Sequence, residues 1–260
     1  MRAFIPSRLL RCSFPGMISL LLTACSGQGS PGLVPPAGEP TSPQNRADAA
    51  TAQFAYVANS GANTVSGYSI ESTGALKQIK GSPFAAGSGA FAVAIDASGK
   101  YAYVADSGTT TVSGFAINAS SGGLTALKGS PFGDDGYYPE AVAADPKGEF
   151  IYTANYGTGN VSGFAIGSGG ALKAVPGSPF AAGTDPDSIG VDPDGKFLFA
   201  GNYGSSNFYE YAIDSKTGAL SPVSGSPYGF SSPVTGTTVA PRVFILNTLS
   251  FWRRMSSSPM

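Results

Sequence analysis

The chain has no histidine, two cysteines and one tryptophan, and only 12% of its 260 residues are charged, against roughly 25% in an average soluble domain. Each scarcity excludes something. Without histidine the commonest general base and metal ligand near neutral pH is missing, and every His-dependent mechanism goes with it. Two cysteines cannot make a disulfide framework. No run of apolar residues approaches the ~20 that a spanning helix requires. There is no Gly-x-Ser-x-Gly elbow, no Walker loop and no cysteine-histidine pair. Basic residues are also short in the body: all sixteen acids lie between Arg11 and Arg242, where only nine Lys and Arg accompany them. Such a body has no basic stripe for phosphates, so nucleic acid is excluded as a partner.

What is abundant is turn chemistry. Thirty-six glycines, twenty prolines and 11% aromatics describe a turn-rich β protein, neither a helical bundle nor a disordered chain.

The start of the chain reads as an address. Arg2, Arg8 and Arg11 precede a short apolar run from Met17 to Leu22, which ends in Leu22-Thr23-Ala24-Cys25. This is the layout of a secretory signal over residues 1–24. The tetrad resembles a bacterial lipobox, and that resemblance implies lipidation of Cys25 and a membrane partner through the lipid. Ser26 after the cysteine implies the outer membrane of the envelope. Residues 25–51 are Ser, Gly, Pro and Ala with few large apolar side chains, too little to bury a core, and read as a tether.

Beyond the tether the text repeats. Gly81-Ser82-Pro83-Phe84 recurs at Gly129, Gly177 and Gly225, the last copy ending in Tyr228, each 48 residues after the one before. Tyr56-Val57-Ala58-Asn59 returns as Tyr103-Val104-Ala105-Asp106 and Tyr152-Thr153-Ala154-Asn155, then behind Phe199 as Ala200-Gly201-Asn202. Val65-Ser66-Gly67-Tyr68 returns at Val112 and Val161, then decays to Phe208-Tyr209-Glu210-Tyr211. One period holds four alternating segments, Phe91 to Asp96, Tyr101 to Asp106, Val112 to Ile117 and Leu124 to Lys128, each a strand. Between the first two, Asp96-Ala97-Ser98-Gly99, Asp145-Pro146-Lys147-Gly148 and Asp192-Pro193-Asp194-Gly195 are hairpin turns.

Four antiparallel strands at this period predict an all-β fold, a β-propeller of four-stranded blades with about four to five blades over residues 52–241. A stacked solenoid and a sandwich are the alternatives. Solenoid coils repeat at shorter periods, and a sandwich does not space its turns evenly. Ala92, Ala94, Ala141, Ala143 and Gly190 supply the small side chains that strands converging on an axis need.

These motifs resemble the lactonase-like, YVTN-type β-propellers, from about Phe54 to Tyr228. The resemblance implies a seven-bladed fold and, among the family's activities, lactone hydrolysis of the 6-phosphogluconolactonase kind. Enzymatic members carry a histidine at the start of the inner strand, five residues before the turn aspartate. Here that count gives Phe91, Glu140 and Asp187, and the degenerate fifth unit gives Thr235. They also place an aspartate before the third strand, where this chain has Thr64, Thr111, Asn160 and Asn207.

The candidate binding residues lie on the face shared by the interblade loops: Asp134, Asp135, Tyr137, Tyr138 and Glu140 in one loop, Asp185 and Asp187 in the next. Asn59, Asp106, Asn155, Tyr156, Asn202 and Tyr203 join them from the interstrand loops. This acidic, aromatic mouth suits a cation, a sugar or a cationic peptide. Asn and Asp that merely close turns are the other reading. Glu140 and Asp187 are the candidate acid/base pair. No cofactor is expected, calcium being the one ion the mouth would suit.

After Pro241 the composition changes: residues 242–260 contain no glycine and no acid, and hold Trp252, Arg253 and Arg254. A truncated or frameshifted reading frame and an ordinary divergent cap both fit. An incomplete ring would leave sheet edges open to self-association. The functional expectation is a lipid-anchored binding or interaction module for a neutral or cationic small molecule, glycan or protein. A lactone hydrolase and a nonfunctional fragment are its rivals.

Overall fold

The computed structural model describes residues 53–240 and 243–248, with side chains to residue 237. The signal peptide, Cys25, the tether, Trp252, Arg253 and Arg254 lie outside the described residues.

Five antiparallel sheets follow one another along the chain. The first has Phe54–Asn59, Thr64–Ile70 and Leu76–Gln78. In the second, Ala90–Ile95, Tyr101–Asp106, Thr111–Ile117 and Leu124–Ala126 pair in order from the inside outward. The third repeats this with Pro139–Ala144, Phe150–Asn155, Asn160–Ile166 and Leu172–Ala174, and the fourth with Pro186–Val191, Phe197–Asn202, Asn207–Ile213 and Leu220–Pro222. The fifth is the hairpin Val234–Ala240 and Val243–Thr248. Successive innermost strands contact one another in series, the arrangement of propeller blades. Among the described residues the first blade begins at its second strand, since Asn59 pairs with Thr64 as Asp106 pairs with Thr111.

The turn motifs act as their residue types require. The Asp96 carboxylate accepts the backbone N–H of Lys100 at 2.9 Å and of Tyr101 at 2.7 Å, and Asp145 and Asp192 repeat the pattern on Glu149 with Phe150 and on Lys196 with Phe197. Gly99, Gly148 and Gly195 close these turns at φ of 69°, 75° and 67°, conformations glycine adopts without a Cβ penalty.

One feature of each blade goes beyond the four expected strands. The third strand has seven residues and the fourth only three, so half the outer edge is left uncovered. After Ser-Pro, a two-residue strand returns to cover it: Phe84–Ala85, Phe132–Gly133, Phe180–Ala181 and Tyr228–Gly229 each pair with the start of their own third strand. The serine of each motif accepts a third-strand N–H, from Gly67, Gly114, Gly163 and Glu210 at 2.9 to 3.0 Å. The fourth strand is accordingly shorter than the five residues read from the sequence.

The cores lie between blades, because each sheet buries both faces. Val65, Ala90, Val104 and Phe115 fill the first interface, Tyr103, Val112, Ile151 and Phe164 the second, and Tyr152, Val161, Leu198 and Tyr211 the third. The repeated tyrosine adds a polar latch across each interface. Tyr56 donates its hydroxyl to the Gly122 carbonyl at 2.6 Å, Tyr103 to Gly170 at 2.8 Å and Tyr152 to Gly218 at 2.9 Å, always in the following blade. In the fourth blade Phe199 takes the place and has no hydroxyl to donate.

Candidate functional site

The inner strands all begin with the same irregularity. Pairing between first and second strands skips a residue between Ala90 and Ala92, Pro139 and Ala141, Pro186 and Ser188, and Val234 and Gly236. The extra residues are Phe91, Glu140 and Asp187, the positions reached by counting back from the turn aspartates, and Thr235, their counterpart in the degenerate fifth unit. A β-bulge leaves a residue unpaired and re-aims its side chain. The four blades thus present an aromatic ring, two carboxylates and a hydroxyl from one structural position.

Asp187 is the most perturbed of them. One of its carboxylate oxygens is buried with no hydrogen-bond partner among the described residues. Burial pushes its pKa up to about 7, and the negative charges of Glu140 and Asp185 push in the same direction. Titration near neutrality is what a general acid or base requires.

The cations are elsewhere. The side-chain-described residues contain eight lysines and no arginine. Lys100, Lys147, Lys196 and Lys216 lie in turns at the opposite ends of the strands, and Lys77, Lys80, Lys128 and Lys173 lie in or beside the outermost strands. Among the residues whose side chains are described, the face that holds Glu140 and Asp187 therefore carries acids without a compensating base. Among the described residues no group of three or more His, Cys, Asp or Glu is placed to hold a metal ion.

The other expected residues separate into two groups. Tyr137 and Tyr138 are exposed at 61% and 54%, and Asp135 is exposed beside them. Asp134 is buried instead: it accepts from Thr153 at 2.6 Å, Ser162 at 2.5 Å, Asn155 at 3.2 Å and the Gly136 N–H at 3.0 Å. Desolvation raises its pKa against those four bonds. Its carboxylate ties an interblade loop to the third blade and has little left to offer a ligand.

Asp106, Asn155 and Asn202 are likewise fully buried, and with Asn59 they tie the end of the second strand to the third. Their bonds hold strand to strand inside the blade. Gly87, Gly136 and Gly183 in the interblade loops must lack a side chain for the same reason, since a Cβ would come within 2.3, 2.0 and 2.7 Å of Asp106, Asn155 and Asn202.

Asp185 stands at φ 53° and Tyr138 at φ 55°, where the second blade has Gly89 at φ 69°. Asp185 also lines a groove of about 560 Å³ between the third and fourth blades, with Tyr156, Thr158, Thr184, Asn207 and Tyr209 among its walls. Sequence reasoning placed Asp185 and Tyr156 among the candidate binding residues but not the others. The signal available was the decay of Val-Ser-Gly-Phe to Phe208-Tyr209-Glu210-Tyr211.

Blades in series, latched across packed interfaces and offering bulged side chains at one end, define a β-propeller with an acidic site at the start of its inner strands. The chain belongs to the lactonase family of seven-bladed β-propellers, whose family model matches residues 47–235. No curated protein gives a significant sequence match. Among solved structures, a candidate 6-phosphogluconolactonase from Bacteroides uniformis is 22% identical with a TM-score of 0.59, the match covering 75% of this chain and 60% of that one. A second, from Bacteroides fragilis, is 22% identical with a TM-score of 0.58, covering 73% and 58%. The periplasmic gluconolactonase of Pseudomonas aeruginosa is 24% identical with a TM-score of 0.55, covering 67% and 52%. The chain thus spans about three fifths of the Bacteroides proteins and about half of the Pseudomonas one. At these identities the likeness is one of fold.

Proposed function

We propose that this propeller is a binding module for a neutral or cationic small molecule, held where the inner strands begin and carried in the bacterial envelope on a lipid at Cys25. The carrying observation is the bulged pair Glu140 and Asp187 on a face without lysine. An anionic phosphosugar would meet two carboxylates and nothing to neutralise it, whereas an amine or a polyol finds acceptors. Ligand-induced shifts in melting temperature test this on the full chain. Glucosamine and glucose are expected to stabilise wild type, 6-phosphogluconate is not, and Glu140→Gln with Asp187→Asn should abolish the shift. Stabilisation by the phosphosugar above that by glucosamine would sink the reading. The anchor is tested by incorporation of a fatty-acid analogue in a bacterial host, expected in wild type and absent in Cys25→Ala. Label that persists in Cys25→Ala, or never appears, overturns it.

One observation favours an enzymatic reading beside it. Asp187, with a pKa of about 7, is suited to accept a proton from water as the oxygen attacks a lactone carbonyl. The ring C–O bond then breaks, and the protonated carboxyl returns the proton to the departing alkoxide, giving the hydroxy acid. The fold is shared with the gluconolactonase of Pseudomonas aeruginosa, but the acidic face restricts the substrate to an unphosphorylated lactone. Turnover of glucono-δ-lactone that rises with an apparent pKa near 7 and disappears in Asp187→Asn would establish it.

A further inference from the structure

The groove between the third and fourth blades is made by departures from the repeat. At the third position of the third strand, Ser66, Ser113 and Ser162 hydrogen-bond the residue that ends the second strand, Asn59, Asp106 and Asn155. The fourth blade has Tyr209 there, and the groove opens beside it. Its ring stacks on Tyr211, with centroids 5.9 Å apart and planes inclined by 24°, so it is held by its own strand. Across the groove stands Tyr156, where the first two blades have Ser60 and Ser107. Tyr203 holds the same position in the fourth blade. Two aromatic residues therefore line a space whose counterparts between the first and second and the second and third blades have serine at both positions.

The remaining walls fit one class of ligand. Thr158, Thr184 and Asn207 add short hydroxyl and amide groups, and Asp185 is the one charged lining residue. Asp185 adopts a left-handed backbone where the second blade uses glycine, a conformation that a non-glycine residue retains at a cost, most often at functional sites. Tyrosine offers an apolar face with a polar tip, matching a pyranose ring, whose C–H face is apolar and whose edge is hydroxylated. The volume of about 560 Å³ falls within the ~300–1,000 Å³ of small-molecule sites.

We propose that this interblade groove is a saccharide-binding site for neutral sugars of about two rings, with Tyr156 and Tyr209 as the stacking platforms and Asp185 and Asn207 as polar contacts. It does not include the bulged pair, although its Asp185 is two residues from Asp187, and it does not depend on what that pair binds. The sister blades supply the test variants, because Tyr156→Ser and Tyr209→Ser restore residues already present at those positions in the same fold.

Saturation-transfer NMR on the full chain, with cellobiose and N,N′-diacetylchitobiose as probes, measures binding. Hydrogen exchange of wild type with and without probe locates it independently of any variant. Each tyrosine variant is expected to weaken binding roughly tenfold, while Lys100→Ala, in a turn at the opposite ends of the strands, leaves it within about twofold. Protection should appear at residues 156–159, 182–185 and 205–209. An acidic disaccharide should bind more weakly than either probe, repelled by Asp185. Four results overturn the proposal: neither probe binds, binding is unchanged in both tyrosine variants, binding is lost equally in Lys100→Ala, or tetramethylammonium competes better than the sugars.

Discussion

Asp187→Asn is expected to raise the melting temperature at pH 8 and to leave it almost unchanged at pH 4. The sign follows from linkage. In the unfolded chain an aspartate titrates near its ordinary value of about 4, whereas in the fold Asp187 titrates at about 7 because burial and the charges of Glu140 and Asp185 oppose ionisation. Below pH 4 the carboxyl is protonated in both states, so the native state bears no penalty. As pH rises from about 4 to about 7, the unfolded chain sheds this proton and the folded chain retains it, so stability falls. Above pH 7 both are ionised and the penalty is constant, at most about 4 kcal/mol for a three-unit shift and less with the solvent that reaches this half-buried group. Asparagine has no such titration, so its advantage should grow across that window and then level off. Melting curves from pH 4 to pH 9 measure this, and parallel curves for wild type and variant would contradict it.

Asp134→Ala should be among the most destabilising single substitutions in the third blade, by about 2–4 kcal/mol, and Thr153→Val should rescue it. The single change leaves the hydroxyls of Thr153 and Ser162, the Asn155 amide and the Gly136 N–H without their shared acceptor, and a buried polar group left unpaired costs about 1–3 kcal/mol. Relief of the desolvated charge offsets part of that loss. The corresponding loops begin with Ala86 and Ala182, and the corresponding second strands carry Val104 and Ala200 where this one has Thr153. Asp134 and Thr153 thus entered one blade as a matched polar pair, and removing both restores the apolar arrangement of its neighbours. Denaturant unfolding of the two single variants and the double variant gives the coupling. Additive losses would show that the pair is not a unit.

The repeat made the fold legible. Three landmarks at one period located the blades, and the Asp-x-x-Gly turns located the inner hairpins, because both depend on local chemistry that each copy restates. The start of the inner strand was legible too: the count from the turn aspartate reached Phe91, Glu140 and Asp187, which with Thr235 of the degenerate fifth unit are the bulged residues. What the sequence concealed was direction and burial. Asp134 and Asp135 are adjacent and chemically identical, yet one is locked under Thr153 and Ser162 and the other faces solvent, a difference set by partners from another blade. The groove was concealed for the opposite reason. Its walls are the positions where the repeat fails, and a search for what recurs passes over them.

The tyrosine latches make the molecule a ladder in the mechanical sense. Each rung joins one blade to the next through a tyrosine hydroxyl and a packed core, with Tyr211 donating a second one back to Ala181 between the third and fourth blades, and none reaches past a neighbour. Tension applied across the described blades therefore passes through their interfaces in series, and the weakest yields first. As an interface opens, about 48 residues pay out, or roughly 160–170 Å of extended chain. The fourth blade, where Phe199 carries no rung to the next, is the natural place for the first tooth of that force curve.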